Sequence, residues 1–221
     1  MCGYIGNVHQ APGVIDLMNE LGITLPLPYF QSYQLRIHPA LITAGEGGYH
    51  LSNAMWWYAM KKVGGNWVPD TDITSFNARN LASRMWKPAI ESRRGLIFGT
   101  EVGESKGKDR YLMRSQMGLA VGTVYQDWHA PGVEPIRSMA VITRPPHPRF
   151  SQYHDKSIPH FLPMDAEAIK TWLDPRVGSD HPEIRELLET PKIHTPLSVT
   201  KVKSFVRAEP LGEPEELAAD E

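Results

Sequence analysis

GLIFGTEV, residues 95–102, is the stretch whose reading decides the fold. Its apolar run carries β-branched and aromatic residues, is interrupted by glycine instead of helix formers, and reads as a strand. Working outward, GLAVGTVY at 118–125 and SMAVITR at 138–144 have the same character. SYQLRIH at 32–38, NAMWWYAM at 53–60 and LSVTKV at 197–202 add further β-like stretches, separated by turn-rich segments such as AGEGG and VGGN. Helices are fewer. Val14, Leu17, Met18 and Leu21 recur at helical spacing, with Gly22 placed to terminate residues 13–21. Asp165 is a good N-cap for AEAIKTWL, and Pro182 sits near the start of HPEIRELLET, with Ile184, Leu187 and Leu188 on one face. No regular βαβ alternation and no internal repeat is present. The chain is therefore expected to be α+β, a single domain over residues 1–208 with a mostly antiparallel β-rich core and peripheral helices.

Composition narrows the function. The chain has 221 residues, 41% hydrophobic, enough for one sizeable core. Its net charge of -2 conceals an asymmetry: EPLGEPEELAADE, residues 209–221, holds six acidic residues and no basic ones, leaving 23 basic against 19 acidic in residues 1–208. A mildly cationic body suits a polyanionic ligand, and the Glu, Pro and Ala-rich tail is expected to be disordered. Cys2 is the single cysteine, so no intramolecular disulfide forms. No Cys-x-x-Cys or His-Glu-x-x-His spacing occurs, and no metal or other cofactor is expected. Without a secretory leader or an apolar run of about 18 residues, the protein is expected to be soluble and intracellular, with no membrane partner.

Cys2 poses the chemical question. Once Met1 is removed, Cys2 carries an amine and a thiol on adjacent carbons. The α-amine, with a pKa of roughly 7.7–8.0, is partly an unprotonated nucleophile at neutral pH. Toward an aldehyde the amine forms an imine and the thiol closes on the same carbon as a thiazolidine. Toward an amide the thiol attacks instead, with the amine as base. A small hydrophobe tucked in at a terminus explains Cys2 equally well.

The opening MCG is shared by class II glutamine amidotransferases, but their Arg-Gly-Pro-Asp and Asn-Gly segments occur nowhere here. A second family begins the same way and continues through the chain. MWWYAM at 55–60, FNARNLASRMWKP at 76–88, IFGTEVGES at 97–105, YHDKSIP at 153–159, AEAIKTWLDP at 166–175 and TPLSVTKVKSF at 195–205 follow in order. In this pattern the chain resembles the SOS-response-associated peptidase (SRAP) family, which includes proteins that crosslink to abasic sites in single-stranded DNA. The resemblance spans Cys2 to about Phe205.

The resemblance implies a DNA damage function: autocatalytic removal of Met1, capture of abasic sites in single-stranded DNA as a Cys2 thiazolidine, and, through the same imine, weak abasic-site lyase activity. A monomer is implied, cytoplasmic and nucleoid-associated if the chain is bacterial or phage-encoded. Asn77 is implied to orient the terminal amine or the sugar, and Arg79 to grip a flanking phosphate. Glu104, six residues after Phe98, would shuttle protons, with Glu101 as rival. His154 would assist ring opening or reversal, with His147 and His160 as rivals. Arg84, Lys87, Arg93 and Arg94 are candidate backbone contacts and Trp67 a stacking platform, although most tryptophans belong to cores and most scattered charges to solvated faces. Three departures from the pattern are plain. Tyr4 stands where the family has arginine, glycine, threonine and valine replace aromatic residues in the Glu loop, and Ser157-Ile158-Pro159 replaces Arg-Met-Pro. Two other readings remain: an N-terminal-nucleophile amidohydrolase, and a noncatalytic single-strand-binding module.

Overall fold

A computed structural model describes residues 2–221, so the expected removal of Met1 lies outside the described residues. The chain runs β1 (Tyr4–Asn7), α1 (Pro12–Glu20), β2 (Phe30–Tyr33), β3 (Ile37–Gly45), β4 (Gly48–Met55), β5 (Met60–Val63), β6 (Asn66–Pro69), β7 (Asn77–Ala78), α2 (Lys87–Ser92), β8 (Arg94–Lys106), β9 (Asp109–Ala130) and β10 (Val133–Arg144). A 3-10 turn (Pro148–Phe150), β11 (Ile158–Pro159), β12 (Phe161–Leu162), α3 (Ala166–Leu173), α4 (Pro182–Glu189), β13 (Leu197–Val202) and β14 (Glu215–Leu217) complete it. No described helix is long and apolar enough to cross a membrane.

GLIFGTEV lies within β8, whose hairpin with the 22-residue β9 organises everything else. The first half of β8 and the second half of β9 join a ring: β9 pairs with β10, β10 with β4, β4 with β3, and β3 with β8. Closing a sheet on itself removes its exposed edges. Beyond the ring, the far end of the hairpin carries β1 and β2 on the β8 side and β13 and β14 on the β9 side. All pairings are antiparallel except those of β10 with β4 and β7. The α+β expectation, a β-rich core with peripheral helices in one domain, therefore holds.

The hairpin changes partners at a bulge. Gly99 faces Leu119 but Glu101 faces Arg114, so Ser115–Gly118 loop out opposite Thr100. Helix α1 seats on this bulge. A Cβ on Gly118, whose φ is +94°, would stand 2.4 Å from Val14 Cγ2, and one on Gly13 would stand 2.6 Å from the Met117 carbonyl oxygen.

Strand alternation sends consecutive residues to two cores. Ile42, Leu96, Phe98, Ala120, Ala140 and Ile142 pack beneath α1–α4, while Leu41, Ile97, Val121, Met139 and Val141 pack with Cys2, Trp56 and Phe150. Each Val, Leu, Ile, Phe or Met among them contributes about 1.5–3 kcal/mol on burial. Burial of both faces is why the ring half of β8 carries the continuous apolar run GLIFG, without the period-2 pattern of a one-sided strand.

Three sequence expectations need correction. The tail, expected to be disordered over 209–221, is docked: β14 pairs with β13, Leu217 is buried, and Asp220 accepts from the Ile193 N–H while pairing with Arg149 and His147. Its one apolar anchor and its carboxylates find a strand edge and cations that composition cannot reveal. NAMWWYAM is not one strand. It breaks after Met55, where the indoles of Trp56 and Trp57 turn to donate to the carbonyls of Phe76 and Asp70, each at 2.9 Å. Finally, Arg94 does not share a basic face with Arg84, Lys87 and Arg93. It is 2% exposed and donates to five carbonyls, those of Ile90, Glu91, Trp172, Asp174 and Val177, at 2.6–3.0 Å. Those oxygens belong to the ends of α2 and α3 and the turn beyond, where helix carbonyls lack intrahelical partners.

Candidate active site

Cys2 leads into β1, and the β1–β8 register decides what it meets. Tyr4 faces Gly103 in an antiparallel pair, so the chain before Tyr4 runs alongside the end of β8 that carries Glu104. Cys2 is fully buried, with its Sγ 3.7 Å from the Tyr4 carbonyl oxygen. Burial, and then the charge of Glu104, push its thiol well above the ordinary range. The Glu104 side chain is itself completely buried, and that desolvation pushes its carboxyl up to about 7, against the opposing charge of Arg79.

His154 closes the group from the other side. The 3-10 turn and the loop after it bring the ring in, with Nδ1 donating to the Ser105 carbonyl at 2.8 Å and standing 3.7 Å from Glu104 Oε2. A carbonyl oxygen only accepts, so Nδ1 bears the proton and the neutral ring carries its lone pair on Nε2. Burial lowers the His154 pKa, and the Arg79 charge adds to that. Arg79 follows β7 and is held by a 3.2 Å hydrogen bond from Nη2 to Ser157 Oγ. Asn77, on β7 opposite Val141, keeps Oδ1 and Nδ2 buried without a hydrogen-bond partner. Buried amides are normally satisfied, and this one is an exception.

The rivals separate cleanly. Glu101 accepts from the Tyr4 hydroxyl and pairs with Arg114 at 3.0 Å, a structural network stacked under Phe205. Tyr4 is thus not a lost phosphate contact left open at the surface: it is fully buried and ties β1 to β8. His160 lies in the other core against Trp172, 5.1 Å between ring centroids, with burial lowering its pKa to about 3. His147 caps the 3-10 turn and faces Asp220 at 3.2 Å.

The four DNA-binding candidates fall in two places. Arg79 and Lys87 line one cleft, together with Arg144 and Arg185. Arg84 lines a hollow with Trp128 and Asp70, and Trp67 packs half-buried against the same Trp128, 5.4 Å between centroids. Arg144 is a cleft residue that sequence reasoning missed; the arginine ending SMAVITR against a Pro-Pro turn was the available signal.

A family model described as SOS response associated peptidase (SRAP) matches residues 14–208. The chain belongs to the SRAP family. Its family name ties this SRAP chain to the response to DNA damage. No curated protein matches it. Among solved structures, a Bordetella bronchiseptica protein superposes with TM-score 0.67 at 15% identity, covering 92% of this chain and 100% of that one. A Bacteroides thetaiotaomicron protein gives 0.64 at 14%, covering 94% and 96%, and a phage-related protein from Bordetella bronchiseptica gives 0.63 at 18%, covering 97% and 100%. At these identities the likeness shows a shared fold.

Proposed function

We propose that this SRAP chain captures abasic sites in single-stranded DNA as a covalent Cys2 thiazolidine, after removal of Met1. The observation that carries the reading is the buried juxtaposition of Cys2, a carboxyl titrating at about 7 and a neutral histidine, with Arg79 at their side.

The chemistry runs in balanced steps. In the closed sugar, His154 Nε2 takes the proton of the anomeric hydroxyl and returns it to the ring oxygen as that bond breaks, which frees the aldehyde. The Cys2 amine adds to the aldehyde carbon. Glu104 donates a proton to the departing hydroxyl, water leaves, and a protonated imine remains beside the Glu104 carboxylate. The thiol then adds to the imine carbon as its proton passes to that carboxylate, so one aldehyde, one amine and one thiol give a thiazolidine and one water and the Glu104 carboxyl is restored. A carboxyl near pH 7 serves as both donor and acceptor in consecutive steps. Asn77, with its unfilled amide, orients the amine or the sugar. The imine also admits β-elimination, and with it weak lyase activity.

Burial bears on the alternative. An amidohydrolase needs the Cys2 thiolate as its leading nucleophile, and a buried thiol beside a carboxylate resists ionising. Capture begins with the amine and is not limited in that way. Cys2→Ala should abolish the adduct that survives denaturing electrophoresis while leaving reversible single-strand binding within about twofold. An adduct that persists in Cys2→Ala overturns the proposal.

A further inference from the structure

We infer that Arg144 is a phosphate-binding residue, seating a phosphodiester of the strand beside the lesion in the cleft between α2 and α4. The inference rests on the DNA reading above and adds a residue and a path for the strand. Arg144 ends β10 and faces Ile158 across the β11 pairing, next to the Ser157 that holds Arg79. In the parallel pairing of β7 with β10, Ala78 faces Ile142, so Arg79 and Arg144 leave the paired strands one and two residues further on. Both side chains line one cleft of about 600 Å³, with Lys87 from α2 and Arg185 from α4.

The state of these cations is what points to an anion. Arg144 is half-buried, its Nε is buried without a hydrogen-bond partner, and desolvation lowers its pKa with no carboxylate close enough to offset it. Among the described residues, Arg79, Lys87 and Arg144 form no ion pair. The acids of the same cleft mostly have partners other than Arg79, Lys87 and Arg144: Glu91 accepts from the Ser179 N–H and hydroxyl, and Glu189 faces Arg185 at 3.8 Å, leaving Asp180. A guanidinium removed from water and left unpaired is costly, and a phosphate returns that cost through two parallel N–H donors.

Binding of an unmodified single-stranded oligonucleotide to wild type, Arg144→Gln and Arg144→Lys, measured across a salt series, tests this. Each phosphate neutralised on a single strand contributes about 0.7 to the slope of log affinity against log salt. Arg144→Gln should lose about 0.7 of that slope and bind several-fold more weakly, with an unchanged melting temperature. Arg144→Lys should keep the slope, which holds even if the glutamine variant fails to fold. A slope unchanged in Arg144→Gln, or lost equally in both variants, overturns the inference. The covalent reading is judged separately on an abasic oligonucleotide: salt-dependent binding without an adduct overturns capture and leaves the cleft, and an adduct with an Arg144-independent slope does the reverse.

Discussion

Glu104 owes its chemistry to a position at which a strand ends inside the protein. Because its folded carboxyl titrates at about 7, well above the ordinary 4.5, the folded state binds a proton more tightly than the unfolded one across that interval. Stability therefore falls as pH rises from about 4.5 to about 7 and is level on either side. Glu104→Gln should erase this slope, melting above wild type at pH 8, while slowing capture by about 100-fold or more. Wild-type capture should rise with pH as the amine deprotonates and fall again above about 7, where the Glu104 acid is lost, whereas the variant should keep only the rise from the amine; stopped reactions resolved on denaturing gels across pH 5.5–9 would follow both limbs. Tyr4 gives the opposite test. If its hydroxyl only braces Glu101, Tyr4→Phe should cost about 1.5–3 kcal/mol in urea unfolding and leave capture intact. At this scale the sequence supplied residue types and order, and so named Cys2, Asn77, Arg79, Glu104 and His154. The spacing from Phe98 favoured Glu104 over Glu101, but the sequence could not show what occupies Glu101, which is Arg114 reaching across the hairpin.

At the scale of elements, the arginine at the start of β8 binds helix ends to sheet. Arg94→Lys keeps the charge but strands several of five buried carbonyls, and should cost on the order of 3 kcal/mol, seen as a melting temperature lower by roughly 6–12 °C. The docked tail is a smaller unit. Leu217→Asp should release β14, so that amide exchange rises at Ile193 and along 197–199 but not in the β8–β9 half of the ring. Protection left unchanged at Ile193 would mean that the tail docking adds nothing. Elements with strong local signals were legible. α3 has its Asp165 cap, with the carboxylate accepting from the Ala168 N–H, and β13 matches LSVTKV residue for residue. The tail was not, because its strand is induced by a neighbouring edge and not by its own propensity. Nor was the break in NAMWWYAM, which is set by where distant carbonyls accept two indoles.

Over the whole molecule, a closed ring gives rigidity while the extended end of its hairpin, beyond the bulge, carries the candidate site. β1 and the His154 loop meet at that end, so Cys2, Glu104 and His154, separated by about 50 to 150 residues in the chain, converge there. The β-rich class could be read from the sequence because strands buried on both faces announce themselves as apolar runs. The closure could not, since it depends on β3 and β10 finding opposite flanks of one long hairpin. The central claim is that this end captures an aldehyde through a processed terminal cysteine. Intact-mass spectrometry under denaturing conditions, after incubation with a single-stranded oligonucleotide bearing one abasic site, tests it most directly. The account predicts a species lacking Met1 and heavier by the oligonucleotide less one water. A protein that retains Met1, or that loses it and gains no mass, would contradict it.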